Sequence, residues 1–180
     1  VIPGVEKYSV LRAMQAIERC DVALLVIDAV TGITAQDTHI AGYINQAWKS
    51  VILVVNKWDL VEKDTNTTVE FETRIRESLN FLPYVPVMFI SAATGQRTNL
   101  VLPMVKRVQA ERLAKLPTAH LNRILVSAQD LHQAPSGSGK LFRIYYGTQV
   151  RTEPPTFLLY CNDPSLSHFT YLRFLENQIR

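Results

Sequence analysis

The stretch that decides the fold is Val51-Ile-Leu-Val-Val-Asn-Lys-Trp-Asp59. It opens with five consecutive apolar residues. So short a continuous run predicts a strand buried on both faces of a parallel sheet. Asn56, Lys57 and Asp59 follow at once, at the carboxyl end of that strand, where open parallel sheets bind their ligands. The stretch therefore predicts a parallel sheet and a ligand site at its carboxyl edge.

Two similar strands are predicted on either side of this one. Val22–Ile27 is a second continuous apolar run, for which we also expect burial on both faces, and Val87–Ile90 is a third. Thr34, with Asp37 three residues on, is the expected N-cap of one intervening helix. The helices predicted around the strands cover residues 6–19, 34–48, 68–80 and 98–113. Helices thus alternate with strands, which favours a parallel sheet with right-handed crossovers.

Three strands make a small sheet for a doubly wound domain, so we expect more of the domain to precede Val1. Strand Val22–Ile27 would then lack a neighbour on one side. We therefore also expect an exposed, apolar sheet edge at this strand.

The remainder of the chain follows a different pattern. Thr118 is expected to cap a helix that runs to about Leu131, and Ala134–Gly139 is typical of a flexible loop. Two strands and a last helix follow, predicted over Phe142–Val150, Thr156–Cys161 and Ser167–Arg180. This α-β-β-α order indicates an α+β domain, so the predicted domain boundaries are 1–116 and 117–180.

The composition excludes several classes of protein. The chain has 180 residues, of which 47% are hydrophobic and 19% charged, as in globular rather than disordered proteins. No apolar run approaches the roughly 18–20 residues of a membrane span. Two cysteines exclude a disulfide scaffold and suit a reducing cytosol. The net charge of +3 is too small to prove a nucleic-acid partner, although residues 117–180 carry six basic and four acidic residues.

The polar residues after the central strand suit recognition of guanine. The Asp59 carboxylate can accept two hydrogen bonds from the base, one from its ring N–H and one from its exocyclic amine. Adenine offers no such pair of donors, so a site of this kind discriminates strongly. Lys57 can lay its apolar stem along the base, and Asn56 can tie neighbouring loops together. The alternative is a solvated loop after a strand.

A second string follows the third strand at the same sheet edge. It is Ser91-Ala-Ala93, and a small residue there lets a backbone N–H approach the guanine carbonyl oxygen. Ser91 taken alone is equally typical of a helix N-cap. Two specificity elements on successive strands, in this order, favour the guanine site.

With these residues the resemblance to a known family becomes specific. Asn56–Leu60 matches the fourth G motif of GTPases, including its Trp, and Phe89–Ala92 matches the fifth. The whole chain resembles the Der (EngA) family of bacterial ribosome-assembly GTPases, whose members have two Ras-like G domains and a KH-like domain. Further matching segments are Gly4–Arg12, Ala16–Asp28, Gly32–Asp37, Tyr146–Val150, Pro154–Phe157 and Tyr171–Arg180.

The resemblance implies an α/β fold: part of a Ras-like P-loop GTPase domain, followed by an α+β KH-like domain. Residues 1–116 would be the latter part of the second G domain, and residues 117–180 an incomplete KH-like domain. The guanine contacts would come from Asn56, Lys57, Asp59, Ser91 and Ala92. It also implies GTP or GDP as ligand and the large ribosomal subunit and its rRNA as partners. The expected protein is cytoplasmic, monomeric and not bound to membranes.

The chain departs from a complete GTPase in two motifs. It has no Gly-x-x-x-x-Gly-Lys-[Ser/Thr] phosphate loop; Ala134–Leu141 comes nearest but has the wrong first and last residues and precedes a strand. It also has no switch Asp-x-x-Gly. Mg²⁺ would bind the intact protein through ligands outside this chain. We therefore expect no catalytic residue and no metal ligand here, and no GTP hydrolysis by this chain alone.

The KH-like part lacks the Gly-x-x-Gly loop with which RNA-binding KH domains clamp the backbone. Its candidate contacts to RNA phosphates are Arg143, Arg151, Arg173 and Arg180, which would otherwise form a solvated face. An alternative function follows: a non-catalytic ribosome- or RNA-binding module in which a truncated or vestigial G domain is a scaffold.

Overall fold

The computed structural model describes residues 3–134 and 140–180, which divide after Glu111 into two units. The loop predicted at residues 134–139 lies, apart from Ala134, outside the described residues. The elements of the first unit are α1 (Pro3–Arg19), β1 (Val22–Asp28), α2 (Ala35–Gln46), β2 (Ser50–Asn56), α3 (Thr67–Ser78), β3 (Val87–Phe89) and all but the last two residues of α4 (Val101–Leu113). Those that follow are α5 (Thr118–Leu131), β4 (Ile144–Thr152), β5 (Pro155–Cys161) and α6 (Phe169–Ile179).

The central strand β2 behaves as its sequence predicts. It pairs in parallel with β1 on one side and with β3 on the other, in the order β1-β2-β3. Residues Val51 to Val55 are each at most 4% exposed. Each such side chain contributes about 1.5–3 kcal/mol by leaving water, so this strand anchors the unit.

Helices cover both faces of the sheet. Leu53 and Val55 pack with Ile17 of α1, Ile44 of α2 and Ile75 of α3 in one buried cluster. Ile52 and Val54 point the other way. They pack with Met88 and Ile90 against α4, through Val101, Met104, Val105 and Val108.

The expectation that β1 is buried on both faces is wrong. Leu25 and Ile27 are buried, but Leu24 is 42% exposed and Val26 is 56% exposed. The reason is position: β1 is the edge strand, and the buried cluster under α4 is formed by β2 and β3. For the described residues, the expected apolar edge is confirmed.

The predicted start of α2 is confirmed. The Thr34 hydroxyl accepts a hydrogen bond from the Asp37 N–H, and the Asp37 carboxylate accepts one from the Thr34 N–H. Both partners of the capping box are therefore present. Replacing such a cap by Ala typically costs about 1 kcal/mol.

In the second unit, α5 and α6 pack on one face of the antiparallel β4–β5 hairpin. Leu121 and Leu125 of α5 and Tyr171 and Leu175 of α6 are each at most 2% exposed. Gly147 of β4 lies so close to α5 that an added Cβ would come within 2.6 Å of Leu125.

The prediction that Thr118 caps α5 is wrong. Pro117 occupies the N-cap position and its carbonyl accepts from the Leu121 N–H, while no side chain caps the helix. Thr118 is consequently the first helical residue. Strand β4 also begins at Ile144, two residues later than predicted, and the last helix begins at Phe169 after the N-cap His168.

Candidate functional site

The carboxyl ends of β2 and β3 meet at one edge of the sheet because the strands are parallel neighbours. The Ile90 N–H donates to the Val55 carbonyl at 2.8 Å, and the Trp58 N–H donates to the Ile90 carbonyl at 3.0 Å. The Ala92 N–H donates to Asn56 Oδ1 at 2.9 Å. Asn56 thus joins the loops that follow the two strands.

Lys57 is held by a residue that the sequence analysis did not assign to the site. Its Nζ lies 2.6 Å from Asp28 Oδ2, at the end of β1. The Val30 N–H donates to the other Asp28 oxygen at 2.8 Å. The hydrogen bond from Lys57, and then that from Val30, hold the pKa of Asp28 below its usual value. The sequence signal was that Asp28 follows one apolar strand directly, as Asn56 follows the next. The structure adds that Asp28 and Asn56 are register partners.

Trp58 fixes the orientation of its two neighbours. It begins a short 3-10 turn, Trp58–Leu60, and is 3% exposed. Its ring contacts Phe71 at 5.5 Å and Phe89 at 4.4 Å between centroids. With the indole anchored in the core, Lys57 and Asp59 on either side are exposed.

The Asp59 carboxylate takes part in no hydrogen bond or ion pair with any residue that the structure describes. It stands at the sheet edge with its acceptor oxygens free for a ligand. Such a carboxylate suits two N–H donors placed side by side.

Ser91 and Ala92 differ in exposure. Ser91 is fully buried, and its hydroxyl accepts from the Thr94 N–H at 3.2 Å, while Ala92 is exposed. This hydroxyl bond is of the kind an N-cap makes, but a turn rather than a helix follows. Because the Ala92 N–H already donates to Asn56 Oδ1, a guanine oxygen would have to share this N–H with Asn56 or displace the Asn56 oxygen from it. The next N–H, that of Ala93, is engaged by no described residue.

The four arginines do not form one cluster. Arg151 lies opposite Thr156, which alternates with Leu158 and Tyr160 on the hairpin face turned away from the helices. Arg143 adjoins the inward-facing Ile144, and its backbone pairs with Asn162. Arg173 and Arg180 lie instead at α6, where Arg180 forms an ion pair with Glu176 at 2.7 Å.

The part of the chain that the structure describes contains neither a metal site nor a membrane-spanning helix. No group of His, Cys, Asp and Glu in this part of the chain is arranged to hold a metal ion. Over the same residues, no helix is both long and apolar enough to cross a membrane.

Two family models match, and together they cover nearly all of the chain. Residues 2–112 match the elongation factor Tu GTP binding domain. Residues 115–180 match the KH-domain-like C-terminal domain of EngA bacterial GTPase enzymes. The chain belongs to the Der (EngA) family. The fold is accordingly a Ras-like parallel sheet with helices followed by a KH-like domain.

Relatives in the Der family are similar over the whole chain. GTPase Der of Lactobacillus acidophilus is 52% identical over 175 residues, which are 97% of this chain and 40% of that protein. GTPase Der of Alkaliphilus oremlandii is 48% identical over 180 residues, 100% of this chain and 41% of that protein. The chain thus spans about two fifths of the length of these curated relatives.

Among solved structures, the apo form of elongation factor SelB from Methanococcus maripaludis aligns with a TM-score of 0.51 at 17% identity. The alignment covers 75% of this chain and 29% of SelB. At this identity the likeness concerns the fold alone.

Proposed function

We propose that this chain recognises the guanine base of GTP and GDP at the edge formed by Asn56, Lys57, Asp59, Ser91 and Ala92. The observation that carries the proposal is the exposed Asp59 carboxylate, which is unengaged by described residues beside the buried anchor Trp58. Family membership supports the choice of nucleotide.

Each residue has a distinct part in this recognition. Asp59 accepts the ring N–H and the exocyclic amine of guanine. Lys57, steadied by Asp28, covers one face of the base with its stem. The carbonyl oxygen of guanine accepts a hydrogen bond from a backbone N–H of the Ser91–Ala93 loop. The donor is either the Ala92 N–H, released from Asn56, or the Ala93 N–H, which is engaged by no described residue.

An exchange of base tests the proposal. Asp59→Asn converts one acceptor oxygen into a donor, so the variant should lose GDP affinity and bind xanthosine diphosphate, whose second carbonyl replaces the amine. We expect GDP binding to fall by a factor on the order of 10² or more, since two donors or two acceptors that face each other in the complex lose their hydrogen bonds. Titration calorimetry of the whole chain with GDP, xanthosine diphosphate and ADP measures this.

Asp21→Asn is the matched control, because Asp21 is an exposed aspartate that precedes β1. It should leave GDP affinity unchanged. Equal loss in both variants, or equal affinity of the unaltered chain for ADP and GDP, would refute guanine recognition at Asp59.

Hydrolysis of GTP with Mg²⁺ is proposed for the longer Der proteins and not for these residues acting alone. The chain has no phosphate loop, and its described residues offer no metal-binding group. One result would contradict the proposal that this chain alone does not hydrolyse GTP. It is a steady release of phosphate from GTP by the chain, which Asp59→Asn abolishes and which xanthosine triphosphate restores in that variant.

We further propose that the protein acts in the cytoplasm, as a monomer, in assembly of the large ribosomal subunit. Membership of the Der family supports this role, and rRNA is then the expected partner. Arg143, Arg151, Arg173 and Arg180 are the proposed phosphate contacts. A second candidate, a nucleotide-independent RNA-binding module, is favoured by one observation: Arg143 and Arg151 stand near the two ends of one strand, β4.

Co-sedimentation with purified large subunits separates the two candidates. If the chain is a nucleotide-regulated assembly factor, GDP should change the bound fraction, and Asp59→Asn should remove that effect. If it is a simple binding module, Arg143→Ala with Arg151→Ala should reduce binding whether or not GDP is present. No binding to the subunit in any state would refute both.

A further inference from the structure

The β4–β5 hairpin carries exposed aromatic side chains. Tyr146 and Tyr160 are direct partners across the hairpin, with ring centroids 5.8 Å apart and an angle of 48° between the rings. They are 44% and 52% exposed, and Tyr145 beside them is 66% exposed. Neither ring of the pair is used in the core formed with α5 and α6. Flat rings held side by side on a strand pair are a surface on which planar groups can stack.

Register shows which residues share this face. Tyr146 with Tyr160, Thr148 with Leu158, and Arg151 with Thr156 are successive outward pairs. Inward positions include Ile144 and Leu159, which join the core, and irregularities in the register between Ile144 and Tyr146 and between Gln149 and Arg151 interrupt the strict alternation along β4. The outer face of the hairpin is therefore a strip of tyrosine and small or apolar side chains with an arginine at one end.

The charged side chains along the two strands are basic, and Glu153 in the turn between them forms an ion pair with Arg112 at 3.5 Å. Arg151 lies near the end of β4 that leads to the turn, and Arg143 precedes the other end. The two strands contain no Asp or Glu. The two arginines are eight positions apart in the chain, up to about 26 Å at roughly 3.3 Å per residue. Two separated cations with aromatic rings between them suit an extended polyanion that carries planar groups.

Single-stranded nucleic acid is the ligand with that chemistry. Its phosphates pair with arginine and its unpaired bases stack on aromatic rings, whereas a duplex hides its base faces. The lack of a Gly-x-x-Gly loop makes a backbone clamp of the usual KH kind unavailable here. An apolar protein partner would gain from the tyrosines but not from arginines at both ends of the strip.

We propose that the outer face of the β4–β5 hairpin binds single-stranded RNA, with bases stacked on Tyr146 and Tyr160 and phosphates held by Arg143 and Arg151. The proposal rests on the RNA contact proposed above and specifies its surface and its ligand. It leaves Arg173 and Arg180, which lie at α6, outside the binding face.

Fluorescence anisotropy with a labelled eight-nucleotide RNA of mixed sequence tests the proposal on the whole chain. Tyr146→Ala and Tyr160→Ala should each weaken binding roughly 5- to 150-fold, the range found for the loss of one stacked base. Tyr146→Phe should keep the affinity within about twofold, because its ring still stacks. Arg143→Ala and Arg151→Ala should each reduce the slope of log K against log salt by about 0.7.

Tyr8→Ala is the matched control: it removes a tyrosine that is 70% exposed on α1, in the other unit, and should change nothing. Circular dichroism confirms that each variant is folded. A self-complementary duplex of the same length should bind more weakly than the single strand.

The outcomes that overturn the inference differ from those that overturn guanine recognition. If the arginine variants weaken binding and the tyrosine variants do not, RNA contact stands but stacking on this face is refuted. If duplex binds as well as single strand, the proposed ligand is wrong. If no RNA binds and the tyrosine variants instead abolish self-association in sedimentation, the hairpin is a protein-docking face. GDP binding through Asp59 is measured separately in every case.

Discussion

Lys57 has a left-handed backbone conformation, with φ of 63°, at the point where β2 ends. A non-glycine residue rarely adopts this conformation unless the surroundings hold it there. Here the buried side chain of Trp58 anchors the position that follows Lys57, and the Asp28 carboxylate binds the Lys57 ammonium group. The backbone strain at this position is thus associated with the residues that would meet the base.

Asp28→Asn tests whether the ion pair positions Lys57. We expect weaker GDP binding with no loss of preference over ADP, since Asp59 still reads the base edge. Titration calorimetry with both nucleotides measures it. Unchanged GDP affinity would show that Asp28 does not position Lys57, and a changed preference would show that the effect of the substitution is not confined to Lys57.

The stability lost in the same variant should depend on pH. Because Lys57 and Val30 lower the pKa of Asp28 from its ordinary 3.8, the carboxylate stabilises the fold above that value. This stabilisation is lost as the pH falls through the lowered pKa. The difference in melting temperature between the unaltered chain and Asp28→Asn should therefore be full near pH 6 and shrink below about pH 4. A difference that stays constant down to pH 2 would contradict the ion-pair account.

At the scale of elements, side-chain amides of α5 bind the backbone of β4. Asn122 accepts from the Gly147 N–H at 2.8 Å and donates to the Gly147 carbonyl at 2.9 Å. Gln129 does the same with Ile144, at 2.8 and 3.1 Å. These pairs satisfy backbone groups of β4 and hold the helix close to the strand, which is why the strand carries a glycine at the crossing.

Gly147→Ala should destabilise the second unit by about 1–3 kcal/mol, the usual range for overpacking. Its Cβ would lie 2.6 Å from Leu125 and 3.0 Å from Leu159, both held in the core. Gly42→Ala is the matched control, since a Cβ there has nothing within 4 Å and lies in α2. It should stabilise by up to about 1 kcal/mol through helix propensity. Urea unfolding compares the two, and equal effects would refute the close-packing account.

At the scale of the whole molecule, the exposed apolar side of β1 is the surface at which we expect this chain to aggregate. Leu24 and Val26 extend the apolar face beyond the cluster under α4. An unpaired, apolar edge strand is a template for aggregation.

Val26→Lys should raise the solubility of the chain and reduce its concentration-dependent sedimentation, because a charge at a sheet edge discourages further pairing. The melting temperature should change little, since Val26 is already 56% exposed. Val54→Lys, at the buried register partner, should instead unfold the unit. Unchanged sedimentation in Val26→Lys would show that β1 is not the site of association.

The sequence by itself determined the order of helices and strands, the burial of β2, the capping box of Thr34 and the Asn56, Lys57 and Asp59 string. Each of these depends on residues close together in the chain, through periodicity, capping or an apolar run. The family also follows from such strings, and the comparisons agree with it.

Only the tertiary structure decided which face of β1 is exposed, that Asp28 forms an ion pair with Lys57, and that Asn56 accepts a hydrogen bond from the Ala92 N–H. It also separated Arg143 and Arg151 on the hairpin from Arg173 and Arg180 at α6. These results depend on which elements become neighbours. An apolar run has the same sequence pattern at the edge of a sheet as at its centre, and a charged residue does not reveal its partner until the strands are placed side by side.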